Sequence, residues 1–150
     1  MRKDSFVVAV VLLLITLASC YNESGRKVKE LNEVINTHFE AINERNIDNL
    51  IKTVNKDSIQ LILPSGKYSK SFEEYKEINQ KWFGDKNWSI QHQIVEQIVN
   101  EKTAIVLAKI NYADLDEHNE AYNFEYYLTL IFSYANQKWE LIFDQNTLIK

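Results

Sequence analysis

Residues 121–134 read AYNFEYYLTLIFSY, and the fold turns on their period. Tyr122, Phe124, Tyr126, Leu128, Leu130 and Phe132 recur at every second position, the signature of a strand that buries one face. The alternation starts at Trp88 and runs through four long segments, 88–100, 102–113, 121–134 and 138–149. Beside the six residues above, the inward set is predicted as Trp88, Ile90, His92, Ile94 and Ile98, then Ala104, Val106, Ala108 and Ile110, then Trp139, Leu141 and Phe143. Four such runs joined by short links predict antiparallel strands. Their apolar face needs a cover, and only the N-terminal half can supply it.

That half is helical by its spacing. Val28, Leu31, Val34, Ile35, His38, Phe39 and Ile42 share one face of a helix predicted over 27–44. A short second helix follows, capped by Asn46 and buried through Ile47, Leu50, Ile51 and Val54. Ser58–Leu63 reads as a strand, PSGK as a turn, and Tyr68 as part of a short return. Ser71 and Glu74 then match the capping box of a third helix, which carries Phe72, Tyr75, Ile78, Trp82 and Phe83 and stops at Gly84. The fold class is α+β: a strongly curved antiparallel sheet of about four long strands plus a short hairpin, wrapped on three helices. Its opposite face carries Val95, Ile105, Leu107, Tyr127, Ile131 and Ile142, a second apolar patch that predicts a homodimer through the outer sheet face.

The N-terminus points to a membrane surface. Arg2 and Lys3 precede Phe6–Ala18, apolar except for Thr16, the layout of a secretory signal peptide. Thirteen residues of helix reach roughly 20 Å, short of a hydrocarbon core of about 30 Å. The run ends in LASC, 17–20, which holds the only cysteine. LASC resembles the bacterial lipobox, and that resemblance implies removal of residues 1–19 and acylation of Cys20. Two or more acyl chains anchor stably, at about 0.8 kcal/mol per buried methylene. The expected organisation is a signal peptide over 1–19, a lipidated tether over 20–26 and one domain over 27–150, held by a lipid bilayer at the cell envelope.

Composition narrows the function classes. Arg2, Lys3 and Asp4 together carry +1, so the chain from Cys20 carries −5 rather than −4. With no basic stripe, nucleic acid is not an expected partner. Three glycines and one proline leave no glycine-rich phosphate loop, and no cofactor is expected. His38, His92 and His118 show no HExxH spacing, GxSxG is missing, and in the acidic stretch DLDEHNE, 114–120, His118 and Asn119 stand where a calcium loop wants an oxygen ligand and a glycine, so no metal is expected.

The element order, AINERNIDNL at 41–50, LPSGK at 63–67 and WELIFDQNT at 139–147 resemble the nuclear transport factor 2-like superfamily, which includes SnoaL-like domains. The resemblance covers about residues 27–149. It implies a cone whose curved sheet wraps the helices and leaves a pocket at the open end, and it implies sheet-to-sheet dimers. Members resembling ketosteroid isomerases place a carboxylate base just before the proline that follows the first strand. Here that residue is Leu63, which takes no proton, so their mechanism does not carry over. No complete Asp and His set of the superfamily's dehydratases maps onto the chain either.

His92 on the predicted inner face is a candidate general base, with Tyr126 as donor. His38, Tyr112 and Gln145 join them as pocket candidates, and Glu96 shares that parity less securely. Asp144 and Asn146 have the opposite parity and are expected at strand ends or against a partner. The leading expectation is a lipid-anchored, non-catalytic cone domain that binds a small apolar or amphipathic ligand or serves as an accessory module. The alternatives are a lyase or isomerase using His92, and a dimeric partner-binding module.

Overall fold

The computed structural model describes residues 2–149, with side chains described from Glu23 onward. Signal-peptide removal and acylation at Cys20 concern side chains outside that set. The elements are α1 (Arg2–Asn43), α2 (Ile47–Leu50), β1 (Gln60–Ile62), β2 (Tyr68–Ser69), α3 (Phe72–Gly84), β3 (Ser89–Val99), β4 (Thr103–Leu115), β5 (Ala121–Ala135) and β6 (Lys138–Leu148). Among the described residues no helix is long and apolar enough to cross a membrane.

The six strands form one open sheet in the order β2-β1-β6-β5-β4-β3. Every pairing is antiparallel except β1 with β6, which is parallel, so the sheet is mixed rather than antiparallel throughout. The exception begins upstream of β1. Leu141 N–H donates to Thr53 O and Asn55 N–H donates to Leu141 O, which lays the chain after α2 alongside β6 before β1 starts. Leu31, Ile35, Phe39 and Ile42 of α1 and Tyr75 and Phe83 of α3 cover the inner face, where Ala104, Val106, Ala108, Ile110, Leu130, Phe132 and Leu141 are fully buried.

Two β-bulges revise the predicted facing of the strands. In β3 the register slips between Ile94 and Glu96, with Val95 as the extra residue. Beyond it Glu96 and Ile98 face outward, Ile98 at 52% exposure, while Val99 packs on the core. In β6 the slip lies opposite Ile131 and Phe132 and leaves Ile142 unpaired. Phe143 and Gln145 therefore turn outward, and Asp144 and Asn146 turn inward, the reverse of straight alternation.

Helix ends follow local chemistry. Asn46 caps α2 by accepting from Asn49 N–H at 3.0 Å. Ser71 caps α3 by accepting from Glu74 N–H, but Glu74 reaches back to Lys70 N–H rather than to the cap itself. α1 ends in a Schellman motif, with Asn46 N–H to Ala41 O and Arg45 N–H to Ile42 O, and it puts Arg45 at φ 53°. The Arg45 guanidinium repays that conformation. It donates to the carbonyls of Asp85, Lys86 and Trp88 and lies 4.1 Å from the Trp88 ring, tying the end of α1 to the α3–β3 connection. Upstream, the expected tether is instead helical: residues 23–26 continue α1, with Glu23 3.1 Å from Lys27 and Arg26 2.6 Å from Glu30. Such pairs partly offset the cost of about 1 kcal/mol for Gly25 within a helix.

Candidate functional site

At the end of the cone near Ile42, the helices and the sheet diverge around a cavity of about 330 Å³. Its wall is apolar and aromatic for a sequence reason. β4 and β5 place Tyr112, Tyr122, Phe124, Tyr126 and Leu128 on one face by strict alternation, and α3 adds Tyr75, Ile78 and Trp82 at helical spacing. The rings form a near-continuous surface: Tyr112 to Phe124 is 4.9 Å between centroids, Phe124 to Tyr126 5.9 Å, and Trp82 stacks on Trp88 at 4.2 Å. Leu63 and Pro64 line the same cavity, so the position where isomerase-like proteins hold their base is apolar wall here.

The polar lining is small: Asn79, Asp144 and Asn146. Asn79 is spoken for, its amide donating to Tyr75 O at 2.8 Å. Asp144 is brought in by the β6 bulge and sits beside Leu61 of β1 and Leu130 of β5. Asn146 Nδ2 donates to Asp144 Oδ1 at 3.1 Å and to Ile62 O at 2.9 Å. Burial away from water penalises the charged carboxylate and pushes Asp144 up to about 7, opposed only by the Asn146 hydrogen bond. Burial, and secondarily the nearby Asp144 charge, raise the hydroxyls of Tyr75 and Tyr126 in turn. The site thus offers one carboxyl that exchanges a proton near neutral pH and two phenols that stay neutral.

Of the residues expected at the site, Tyr112 and Tyr126 line the cavity and His38, His92 and Gln145 do not. His92 shares the inner face and a cross-strand row with Ile110 and Tyr126, but Ile110 stands between them. Two strand spacings of about 4.8 Å separate its backbone from that of Tyr126. Its imidazole instead stacks on Phe39 at 3.8 Å, at the sheet's exposed margin. That arrangement gives no base and donor pair. His38 is fully buried in α1, where Nδ1 lies 2.8 Å from Thr53 Oγ1, which in turn donates to Leu50 O. With Thr53's proton so committed, Nδ1 is the donor, and burial holds the imidazole down at about 4, a neutral core group. Gln145 pairs with Thr129 on the outer face. The acidic tip is a hairpin turn in which Asp116 Oδ1 accepts from His118 and Glu120 N–H. Asp144 and Asn146 were the residues that parity counting missed. The sequence carries no local signal for them: the LIF at 141–143, where the slip falls, recurs at 130–132, which pairs with β4 in straight register.

This architecture is the nuclear transport factor 2-like fold. A ketosteroid isomerase-like protein from Erwinia carotovora atroseptica superposes with a TM-score of 0.71 at 14% identity, over 83% of this chain and 97% of its own. A candidate dehydratase of the NTF2-like family from Streptomyces avermitilis gives 0.70 at 13% identity over 83% and 97%. The association domain of C. elegans CaMKII gives 0.61 at 14% identity over 84% and 98%. No family model and no curated protein sequence matches the chain. The fold therefore houses enzyme-like and association domains alike, and the likeness is one of fold.

The two buried titrating groups pull stability in opposite directions. Asp144 is raised from 3.8 to about 7, so its contribution is fully present below pH 4 and is lost as pH rises to 7. His38 is lowered from 6.5 to about 4, so its contribution is present above pH 6.5 and is lost as pH falls to 4. Asp144→Asn removes the first effect. The variant is expected to unfold at higher urea than the parent at pH 8, by on the order of 4 kcal/mol at most, and to lose that advantage near pH 4; equal midpoints at both pH values would contradict the assignment.

Proposed function

We propose that the chain is a membrane-anchored binding domain that holds a small, largely apolar ligand in the cone. The observation that carries this reading is the composition of the cavity: an aromatic and aliphatic wall with a single buried polar pair, Asp144 and Asn146. Specific small-molecule sites are built this way, with apolar area for affinity and few polar groups for orientation. At about 330 Å³ the space matches a ligand at the small end of the usual range. Leu63, apolar wall of the same cavity, argues against proton transfer at the first strand.

Anchoring at the envelope rests on the sequence. The Arg2–Lys3 start, the short apolar run and LASC support cleavage before Cys20 and acylation of its thiol. A second reading, compatible with the first, is self-association. Ile98, Ile105, Ile131 and Phe143 form one row across four strands of the outer face, and Val95 and Tyr127 flank it at 50% and 38% exposure. A row of this kind favours a second copy packed sheet to sheet.

Three measurements test these statements. Added 4-phenylbutanol is expected to shift the methyl resonances of Ile42, Ile78, Ile90 and Leu128, leaving Ile35 and Leu130 unmoved, and Leu128→Trp should abolish the effect; uniform or absent shifts would remove the pocket reading. Protein extracted from membranes should carry the mass of acyl chains at its N-terminal cysteine, and Cys20→Ala should be recovered unmodified with its leader intact. In light scattering at micromolar concentration, a parent dimer should become a monomer in the Ile105→Lys, Ile131→Lys double variant, whereas a monomeric parent would end the dimer proposal.

A further inference from the structure

The charge of the cavity says which ligands it prefers. Its lining holds one carboxylate and no Lys, Arg or His. Asp144 Oδ1 accepts from Asn146, while Oδ2 has no hydrogen-bond partner among the described residues. The groups that face the carboxyl are Tyr75 from α3, Tyr126 from β5, Asn146 from β6 and Leu61 from β1. None is cationic. At the entrance Tyr112 and Tyr122 both donate to Asp114 Oδ2, at 2.6 and 3.4 Å, which holds a second carboxylate at the rim. Between the two acids lie the rings of Trp82, Tyr112, Tyr122, Phe124 and Tyr126.

An unmatched acid inside an aromatic enclosure suits one chemical class. A carboxylate ligand meets the Asp114 carboxylate at the rim, the Asp144 carboxyl within and no donor cation, so it is disfavoured. A neutral ligand gains area but leaves Oδ2 with at most one neutral hydrogen bond. A protonated amine offers N⁺–H to Oδ2, and its charge is favoured by ring faces that stand in for lost water. We propose that the cavity takes a hydrophobic amine, its ammonium on Asp144 Oδ2 and its aryl or alkyl body against the Trp82, Tyr112, Phe124 and Tyr126 rings. The inference rests on the ligand-binding reading above and assigns its chemical class.

The assignment carries its own proton signature. Binding an ammonium requires ionised Asp144, so the carboxyl releases its proton and affinity rises with pH. A ketone or alcohol that accepts a hydrogen bond from the protonated carboxyl gives the opposite slope. With half-ionisation near pH 7, amine affinity should gain about tenfold from pH 6 to pH 8.

The test titrates 4-phenylbutylamine, 4-phenylbutanol and 4-phenylbutyrate into the full chain held in phosphatidylcholine nanodiscs, with empty nanodiscs as the blank, at both pH values. The amine is expected to bind roughly tenfold tighter than the alcohol at pH 8, with the stated pH gain, and the carboxylate weakest of the three. Asp144→Asn should erase both the amine preference and the slope, and the slope of the parent protein is read without any variant. An amine no tighter than the alcohol, or an affinity flat or falling with pH, overturns the amine assignment while leaving the pocket reading intact. Failure of all three probes to bind overturns both.

Discussion

The parity of a strand, once shifted by a single inserted residue, stays shifted to its end, and this constraint governs the cone. Ile142 is the inserted residue in β6. Paired straight, with Ile142 opposite Ile131, Phe143 and Gln145 would face the helices, and the cavity would hold neither a carboxylate nor its amide partner. With the bulge, Asp144 and Asn146 take the inward positions beside Leu61 and Leu128. Val95 does the same at the far edge of the sheet, where it sends Ile98 out and brings Val99 in. Bulges also bend and twist a strand, so the same two insertions that choose the facing side chains help curve the sheet around α1 and α3.

Burial on this scale leaves little room for charge. The inner face is packed by Phe39, Tyr75, Trp88, Phe132 and their neighbours, and most polar groups that remain are answered locally: His38 Nδ1 by Thr53, Asn79 by the Tyr75 carbonyl, Trp139 Nε1 by the carbonyl of Lys27 at 2.9 Å, while His38 Nε2 and Ser69 Oγ find no partner among the described residues. Asp144 differs from these in being an acid, with a single amide answering one of its oxygens and the other left to the cavity. A buried acid so placed lowers stability at neutral pH, a cost that structural packing alone does not require. Leu or Asn at 144 would satisfy the core. The binding proposed above gives that carboxyl a part in the cavity that the packing of the fold does not.

Much of this was legible in the residues. The helical face from Leu31 to Ile42, the caps at Asn46 and Ser71, the four long strands and the inward Tyr112 and Tyr126 all follow from period and local chemistry, since each depends only on near neighbours. The errors of facing share one cause. Glu96, Ile98, Phe143, Gln145, Asp144 and Asn146 all lie beyond a bulge, and a bulge is settled by pairing with another strand rather than by the strand's own pattern. His92 failed differently: its face was right, but lateral position across the sheet decides whether an inward side chain meets the cavity or Phe39. The parallel pairing of β1 escaped for a similar reason, being fixed by where α2 releases the chain.

Arg45 clamps the C-terminal end of α1 to the connection that carries Trp88, whose ring stacks on Trp82 of the cavity wall. From Glu23 to Ile42 the helix rises about 28 Å, so the first described side chains and the cavity stand at opposite ends of one rod. Under the anchoring proposed above, a lipid tail at the near end would put the length of that rod between the leaflet's attachment point and the cavity. Because Arg45 clamps the rod's tip to the cavity wall, a pull on the near end would be passed to Trp88 and Trp82 rather than taken up by a hinge between helix and cone.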